Sequence, residues 1–325
     1  MSRSIAITAA ASAAAVLVLA GCGTTEPAAD SAAKDTRRIT LTDASGTKVT
    51  LDKPAEKVVG TEWNVVESLV TLGVDPVGVA DVKGYSAWDS AVPLKNQPKD
   101  IGTRGEPSMD TIASLSPDLI VATTDLPTAA VKQLKRIAPV LEVRSADASD
   151  PVGQMKENLD LIAEATGTAA AADAAKKAYD TKVAEGRKAL ADAGLAGARI
   201  AFADGYAASH QVSVRPFTSG SLIGGVNTAL GLENAWTVKG DKDYGLATTD
   251  VEGLTELGDA RFAYIGNDIE GRDVFTDDLA KNSVWKSLPF VKKGEVHRLP
   301  DGIWMFGGPR SMEAYVDALV GALTK

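Results

Sequence analysis

Tryptophans stand where predicted strands turn into loops, in a chain that is only 5% aromatic. Those so placed are Trp63, Trp88, Trp236 and Trp304. A buried tryptophan covers about 150–250 Å² at low entropic cost, so it suits the wall of a pocket for apolar parts of a ligand. Packing in the core is the alternative for each of them. It is the expectation for Trp285, which falls within a predicted helix at apolar spacing with Leu279 and Leu288.

The sequence contains few residues that could bind a metal ion directly or catalyse a reaction. The histidines are His210 and His297, too few for a directly bound Zn²⁺ or Mn²⁺ ion, which needs several converging ligands. The sequence has no Gly-x-Ser-x-Gly elbow and no phosphate-binding loop, and its single cysteine is Cys22. With 34 basic and 43 acidic residues, it is not suited to nucleic acid. We therefore expect a binding protein, not an enzyme.

Residues 1–21 are predicted to be a secretory signal peptide. Arg3 precedes an apolar run from Ile5 to Ala20, which is shorter than the roughly 20 apolar residues that span a bilayer. The run ends in Leu19-Ala20-Gly21-Cys22, which resembles a bacterial lipobox, so Cys22 is expected to carry a lipid. An ordinary signal peptide is the alternative. Residues 22–38 hold no large apolar side chain and are predicted to tether the protein to the outer face of the cell membrane.

The rest of the chain alternates between strand-like and helix-like segments. Ile39–Leu51 alternates apolar and polar residues around a turn, which predicts a β-hairpin. Apolar runs without alternation, such as Leu119–Ala122, then separate short helices, which indicates a buried parallel sheet with helices on both faces. The pattern restarts after Gly194, with a strand predicted for Arg199–Ala203 and a helix for Asp277–Leu288.

A long helix is predicted for Ala169–Ala193, with Thr168 as its N-cap, because the segment is rich in Ala, Lys and Glu and has no proline. Its length of about 37 Å is too great for a routine connection between strand and helix. We therefore predict an α/β fold with two α/β lobes, residues 39–168 and residues 194–325. The single rigid helix bridges them, and the ligand cleft lies between the lobes.

This architecture resembles the helical-backbone (class III) family of solute-binding proteins, which serve ABC importers of siderophores, cobalamin and haem. The resemblance extends from Ile39 to the end of the chain and is carried by a series of short segments. They are Glu62–Asn64, Leu72–Asp81, Gly84–Trp88, Ile101–Pro107, Pro117–Leu119, Phe217–Leu222, Leu232–Trp236, Asp243–Gly245, Trp285–Phe290 and Trp304–Pro309. Their order is similar to that in ferric hydroxamate-binding proteins, which implies a lipoprotein that captures a ferric siderophore for a membrane permease.

The same resemblance implies a set of ligand-binding residues. They are Trp63, Tyr85, Trp88, Arg104, Arg215, Phe217, Trp236, Tyr244, Trp304, Phe306 and Arg310. Arg104 corresponds to the chelate-binding arginine of the family, and a guanidinium suits hydroxamate oxygens well. The alternative for Arg104 is a surface ion pair with Glu106. Since the siderophore already coordinates the iron fully, no protein ligand to the metal and no intrinsic cofactor are expected.

One segment departs from the family pattern. Thr123-Thr124-Asp125-Leu126 stands where relatives carry aromatic residues. The more polar rim leaves room for citrate–hydroxamate ligands as well as hydroxamates. Cobalamin or haem binding is the alternative within the fold, with Tyr85, Tyr206 and Tyr244 as candidate haem ligands.

Two acidic residues are candidates for docking to the permease. Members of the class present one acidic residue on each lobe to permease arginines, and Asp110 and Glu252 occupy the matching positions near helix starts. Compensation of the helix dipole would place carboxylates there equally well. The expected partners are a ferric siderophore and ABC permease subunits, without nucleic acid, and the protein is expected to be a monomer.

Overall fold

Two parallel β-sheets with helices packed on them organise the chain. The computed structural model describes residues 38–208 and 211–325. The predicted signal peptide, Cys22, the tether up to residue 37 and His210 lie outside the described residues.

Strands and helices alternate along the chain. The strands are β1 (Ile39–Thr42), β2 (Lys48–Leu51), β3 (Val58–Gly60), β4 (Gly78–Val79), β5 (Lys99–Asp100), β6 (Leu119–Thr123), β7 (Val140–Val143), β8 (Arg199–Ala208), β9 (Gln211–Pro216), β10 (Glu233–Asn234), β11 (Arg261–Ile265) and β12 (Val296–Leu299). The α-helices are α1 (Trp63–Thr71), α2 (Val82–Trp88), α3 (Met109–Leu115), α4 (Thr128–Leu134), α5 (Pro151–Thr166), α6 (Ala169–Asp192), α7 (Leu222–Ala229), α8 (Ser283–Ser287), α9 (Pro289–Lys292) and α10 (Pro309–Leu323).

The N-terminal lobe is built on a parallel sheet of order β5-β4-β3-β6-β7, beside the antiparallel hairpin β1–β2. Its strands are apolar throughout because both faces of the sheet are covered. Val58 packs in one apolar cluster with Leu159 of α5, whereas the next residue, Val59, packs in another with Ile112 of α3. The predicted hairpin and buried parallel sheet are confirmed.

The C-terminal lobe repeats this plan with the strand order β10-β8-β11-β12. Phe202 and Phe262 occupy apolar clusters on opposite faces of the sheet, and both are fully buried. Strand β8 runs beyond its predicted end, because Asp204–Ala208 continue it and pair antiparallel with β9. The sequence analysis did not predict β9.

The segment predicted as one helix, Asp277–Leu288, is helical but not continuous. The chain instead forms a π-helical turn at Val274–Asp278, a 3₁₀ turn at Leu279–Lys281, and then α8. Asn282 interrupts the helix, since its backbone is extended and its side chain accepts hydrogen bonds from the backbone N–H groups of Val284 and Trp285. The core position predicted for Trp285 is confirmed, because its side chain is 5% exposed among apolar neighbours.

Helix α6 runs between the lobes and packs along α10 and α5. Gly186 lies at the closest approach of α6 to α10, because a Cβ atom there would lie 2.7 Å from Val316 Cγ1. The predicted N-cap position of Thr168 is confirmed, but not a capping role for its side chain. Thr168 stands at the N-cap position, but its side chain makes no capping hydrogen bond and its hydroxyl lies 2.8 Å from that of Thr166 instead.

The lobes also contact each other directly through a buried carboxylate. Glu67 of α1 accepts hydrogen bonds from the backbone N–H groups of Gly308 (2.6 Å) and Ser311 (2.9 Å) at the N-terminus of α10. The Ser311 hydroxyl donates to Asp89 at 3.0 Å. Asn267 of the C-terminal lobe donates to the carbonyl of Ala87 at 3.1 Å. The predicted two-lobed α/β fold is confirmed, with an interface that contains specific polar contacts.

Candidate functional site

The carboxyl ends of the parallel strands supply the residues that meet between the lobes. Trp63 follows β3, Trp88 ends the helix after β4, and Arg104 follows β5. From the other lobe, Trp304 and Phe306 follow β12. In open α/β sheets, ligands bind in the crevice beyond the carboxyl ends of the strands.

Six of the predicted aromatic residues form one continuous set of ring contacts, which we name the aromatic cluster. Its members are Trp63, Trp88, Phe217, Tyr244, Trp304 and Phe306. Trp304 links the lobes, because its ring centroid lies 4.8 Å from that of Trp63 and 6.3 Å from that of Trp88. Phe306 extends the cluster at 5.1 Å from Trp304, 5.5 Å from Phe217 and 5.7 Å from Tyr244. Residues far apart in sequence thus share one surface.

The cluster has a buried floor and a more accessible rim. Trp63, Trp304 and Phe217 are buried, whereas Trp88, Tyr244 and Phe306 are half-buried. Trp63 Nε1 donates to the Ala80 carbonyl at 3.1 Å. Trp304 Nε1 is buried and has no hydrogen-bond partner among the described residues. An apolar surface with one unsatisfied donor suits a ligand that presents both methylene groups and oxygen acceptors.

Arg104 lies against this floor. Its guanidinium carbon is 4.0 Å from the ring centroid of Trp63 and 5.4 Å from that of Trp304. Nη1 donates to Glu62 Oε1 at 2.8 Å, and the Arg104 side chain remains 36% exposed. Its ion-pair partner is therefore Glu62, and the alternative pairing with Glu106 is not present. A guanidinium that lies over two indoles and gives one N–H group to Glu62 keeps other donors for a ligand.

Arg215 occupies the other side of the cluster. Its guanidinium carbon lies 5.5 Å from the ring centroid of Phe306 and 5.8 Å from that of Phe217. Nε donates to Asp204 Oδ1 at 2.8 Å, and Nη2 donates to Oδ2 of the same carboxylate. Burial raises the pKa of Asp204, and the Arg215 guanidinium partly offsets that rise. The fork-to-fork geometry fixes the orientation of Arg215.

Tyr244 closes the rim across the lobes. Its hydroxyl donates to the Asp125 carboxylate, which belongs to the polar segment that departs from the family pattern. Burial, followed by the Asp125 carboxylate, raises the pKa of the Tyr244 hydroxyl, so Tyr244 stays protonated at neutral pH. The acidic side chain at position 125 thus holds an aromatic residue from the opposite lobe in the cluster.

Three predicted ligand residues make no ring contact with the aromatic cluster. Tyr85 packs with Trp63 and Trp304 in one apolar core cluster, but it is fully buried, and its hydroxyl donates to the Val92 carbonyl at 2.6 Å. Trp236 packs on the core of the C-terminal lobe, where Nε1 donates to the Phe202 carbonyl at 2.8 Å. Arg310 is exposed on the first turn of α10. Of the candidate haem ligands, Tyr85 and Tyr244 are thus engaged in hydrogen bonds within the protein.

The two candidate docking residues are exposed, one on each lobe. Asp110 lies in the first turn of α3, and Glu252 immediately precedes a 3₁₀ turn at Gly253–Leu257. Neither carboxylate forms an ion pair within residues 38–208 and 211–325. Over the same residues, no group of three His, Cys, Asp or Glu side chains could hold a metal ion, and no helix is long and apolar enough to cross a membrane.

Sequence analysis missed the carboxylates that pair with the site. Glu62 lies in a segment that resembles the family and Asp125 in the divergent rim, but residue type and spacing alone do not mark these two carboxylates, or Asp204, as site residues. Their positions carried a usable signal, because all three lie at or near the carboxyl ends of predicted strands. Which arginine each would pair with depends on contacts that spacing does not encode.

The fold and site define a two-lobed α/β protein that binds a solute between its lobes, and comparisons with known proteins agree. Residues 58–302 match the family model described as periplasmic binding protein. The chain belongs to that family, which confirms the expectation of a binding protein and not an enzyme.

Two relatives and one solved structure similar to this chain bind iron complexes. A Fe(3+)-citrate-binding protein of Bacillus subtilis (strain 168) is 29% identical over 92% of this chain and 90% of its own. An iron(3+)-hydroxamate-binding protein of Escherichia coli (strain K12) is 26% identical over 82% of this chain and 86% of its own. The crystal structure of the Fe3+-Desferal-bound siderophore-binding protein of Vibrio cholerae superposes with a TM-score of 0.74 at 25% identity, covering 83% of this chain and 98% of its own.

Proposed function

We propose that this chain captures a ferric siderophore of the hydroxamate or citrate–hydroxamate type outside the cytoplasm and delivers it to an ABC permease. The observation that carries the proposal is Arg104, which lies on Trp63 and Trp304 from opposite lobes. The indoles bury the methylene linkers of the siderophore, while the guanidinium donates to the chelating oxygens. The iron keeps its siderophore ligands and takes none from the protein.

The relatives support this choice of ligand class. Two of them are named for ferric citrate and ferric hydroxamate, and the solved structure of Vibrio cholerae holds Fe3+-Desferal, a trihydroxamate chelate. Their similarity extends over most of each chain, so it includes both lobes and the loops between them.

The test is calorimetric titration of the purified protein with ferric Desferal. We expect saturable binding by wild type and a loss of about 2–4 kcal/mol in Arg104→Ala, the range for truncating a charged donor to a buried acceptor. Arg310→Ala is the matched control, because that arginine is exposed and lies over no ring of the aromatic cluster. A folded Arg104→Ala protein that binds as tightly as wild type would contradict the assigned role.

We also propose that Cys22 carries the lipid that holds the protein at the outer face of the membrane. Cys22→Ala should release the protein into the medium or leave the precursor uncleaved, as fractionation and immunoblotting would show. Membrane retention of a processed Cys22→Ala protein would contradict this anchoring. We further propose that Asp110 and Glu252 dock to the permease, because both are exposed and they lie on separate lobes.

A further inference from the structure

The arginines of the site are already neutralised by carboxylates of the same chain. Arg104 pairs with Glu62 at 2.8 Å, and Arg215 pairs with both oxygens of Asp204. A further carboxylate, Asp125, accepts the Tyr244 hydroxyl at the rim. Within the described residues, no other arginine or lysine lies over a ring of the aromatic cluster.

The two arginines beside the aromatic cluster therefore give the site no net positive charge, since each is paired with a carboxylate. The Glu62 side chain is 24% exposed and that of Asp204 16% exposed, so both carboxylates lie where solvent screens them only partly. An anionic ligand placed on Trp304 would meet these carboxylates together with the arginines. Like charges brought close in such surroundings repel by an amount that changes affinity severalfold.

Ferric chelates differ in net charge by their chemistry. Each hydroxamate binds iron as a monoanion, so three hydroxamates balance Fe³⁺ and the chelate core is neutral. Ferric complexes of citrate and of catecholates retain net negative charge. A site that discriminates by charge can therefore separate these classes even where their sizes are similar.

We propose that Glu62 and Asp204 are specificity residues that select ferric chelates without net negative charge. The inference rests on the proposed function and names its ligand class, a ferric trihydroxamate in preference to a ferric polycarboxylate. The carboxylates hold Arg104 and Arg215 as oriented donors while cancelling the charge that would attract anions. The names of the relatives include both citrate and hydroxamate and so do not distinguish these ligand classes. The two ion pairs favour the trihydroxamate.

The test compares two probes, ferric Desferal and ferric dicitrate, on the purified wild type and its variants. Glu62→Gln and Asp204→Asn keep the shape and the hydrogen-bond acceptor of each side chain but remove the charge. We expect either change to strengthen ferric dicitrate binding at least about fivefold relative to ferric Desferal, the scale of one unscreened charge near the surface of a protein. The double variant should shift the ratio of dissociation constants further.

Glu106→Gln is the matched control, since it makes the same charge change two residues from Arg104, and Glu106 forms no ion pair in the described part of the chain. It should leave the ratio within about twofold, because an exposed charge is screened by salt. Glu62→Asp, which keeps the charge, should retain the wild-type preference.

The outcomes separate the two proposals. A wild type that binds neither probe, and no ferric citrate–hydroxamate either, contradicts the proposed function. A wild type that binds ferric Desferal but prefers ferric dicitrate, or Glu62→Gln and Asp204→Asn variants whose ratio stays unchanged, overturns the selection by charge and leaves the siderophore function standing. Melting temperatures measured on every variant identify any that lose affinity by failing to fold.

Discussion

Trp304 presents a buried indole N–H with no acceptor among the residues that the structure describes. Leaving such a donor unsatisfied costs about 1–3 kcal/mol, a penalty that a ligand oxygen could remove. Trp63 differs, because its indole N–H already donates to the Ala80 carbonyl at 3.1 Å. The two tryptophans in contact thus allow a comparison between a donor without an acceptor in the described structure and one whose acceptor the fold supplies.

Replacing each of them by phenylalanine should therefore have different consequences. Trp304→Phe should lower affinity for ferric Desferal by about 1 kcal/mol, the worth of one hydrogen bond, with a smaller effect on the free energy of unfolding. Trp63→Phe should lower the free energy of unfolding by about 1–3 kcal/mol, because it orphans a buried carbonyl. Calorimetric titration and urea unfolding measure the two quantities. Undiminished affinity in Trp304→Phe would show that the ligand does not use this N–H.

Most residues of the site could be predicted from the sequence, but the side chains with which they form ion pairs and hydrogen bonds could not. Tryptophans at the ends of predicted strands identified three members of the cluster, Trp63, Trp88 and Trp304, whereas Phe217, Tyr244 and Phe306 were implied by the resemblance to the family. The partner of Arg104 was not predictable, since Glu62 lies 42 residues away in sequence and the nearer Glu106 was the only visible alternative. Tyr85 and Trp236 resembled site residues by position, yet packing and hydrogen bonds inside each lobe engage them.

At the scale of elements, the contact between α6 and α10 requires a residue without a side chain. Alanine is intrinsically better than glycine in a helix by about 0.5–1 kcal/mol. At position 186, however, the added Cβ would lie 2.7 Å from Val316 Cγ1 and 2.9 Å from Leu230 Cδ2. Overpacking of this kind costs about 1–3 kcal/mol, so the steric effect exceeds the gain in propensity.

Gly186→Ala should therefore lower the free energy of unfolding, although alanine favours helix. Gly321→Ala in α10 is the control, because nothing lies within 4 Å of a Cβ at that position. That variant should be more stable than wild type by up to about 1 kcal/mol. Urea unfolding of both variants tests the contrast, and stabilisation by both would mean that the two helices are not closely packed at Gly186.

The buried carboxyl groups between α1 and α10 predict a dependence of stability on pH. Burial raises the pKa of both Glu67 and Asp89 above the usual range of a carboxyl group. For Asp89, the charge of Glu67 raises the pKa further. Asp89 Oδ2 is buried and receives no hydrogen bond from the described residues, which favours the protonated form of this carboxyl group. The backbone N–H groups of Gly308 and Ser311 favour the ionised form of Glu67. The pair therefore holds at least one proton at neutral pH.

The sign of the effect follows from the protons bound. Because the folded state keeps a proton that the unfolded state loses above about pH 4, the contribution of this pair to stability is greatest in acid and falls as pH rises toward the folded-state pKa. The contribution is up to about 1.4 kcal/mol per pH unit for one proton. Asp89→Asn mimics the protonated form, so it should flatten this slope and stabilise the protein at pH 8. An unchanged slope in urea unfolding between pH 5 and pH 8 would contradict the shared proton, and the exposed Asp110→Asn is the control.

The order of elements was more predictable than their boundaries. Continuous apolar strands require two covered faces, which implied parallel sheets, and the uninterrupted run from Ala169 implied a long helix. The break at Asn282 was not visible, because an asparagine side chain can either face solvent in a helix or cap the next one. Strand β9 was missed because its partner, the end of β8, contains polar residues and glycine.

At the scale of the whole molecule, α6 and the polar contacts across the interface tie the lobes together. Because several buried groups would have to separate for a wide opening, we expect only small lobe movements on binding. A permease must then hold both lobes at a fixed spacing, which is the role proposed for Asp110 and Glu252.

Charge reversal at those positions tests this docking. Asp110→Lys or Glu252→Lys should reduce uptake of the ferric siderophore into cells, and the double change should nearly abolish it, while affinity in solution is unaltered. Asp243→Lys on the C-terminal lobe is the control for a general change of charge. Normal transport by the double variant, or a matching loss of affinity, would remove these carboxylates from the permease interface.

The measurement that tests the central claim most directly is tryptophan fluorescence of the purified protein during titration with ferric siderophores. Since Trp63, Trp88 and Trp304 lie in the aromatic cluster, ferric Desferal should quench the emission saturably with one chelate per protein, and the melting temperature should rise. Iron-free Desferal should produce a much weaker change. If a ferric trihydroxamate, a ferric citrate–hydroxamate and ferric citrate all leave both the emission and the melting temperature unchanged, the cluster between the lobes is not a siderophore site.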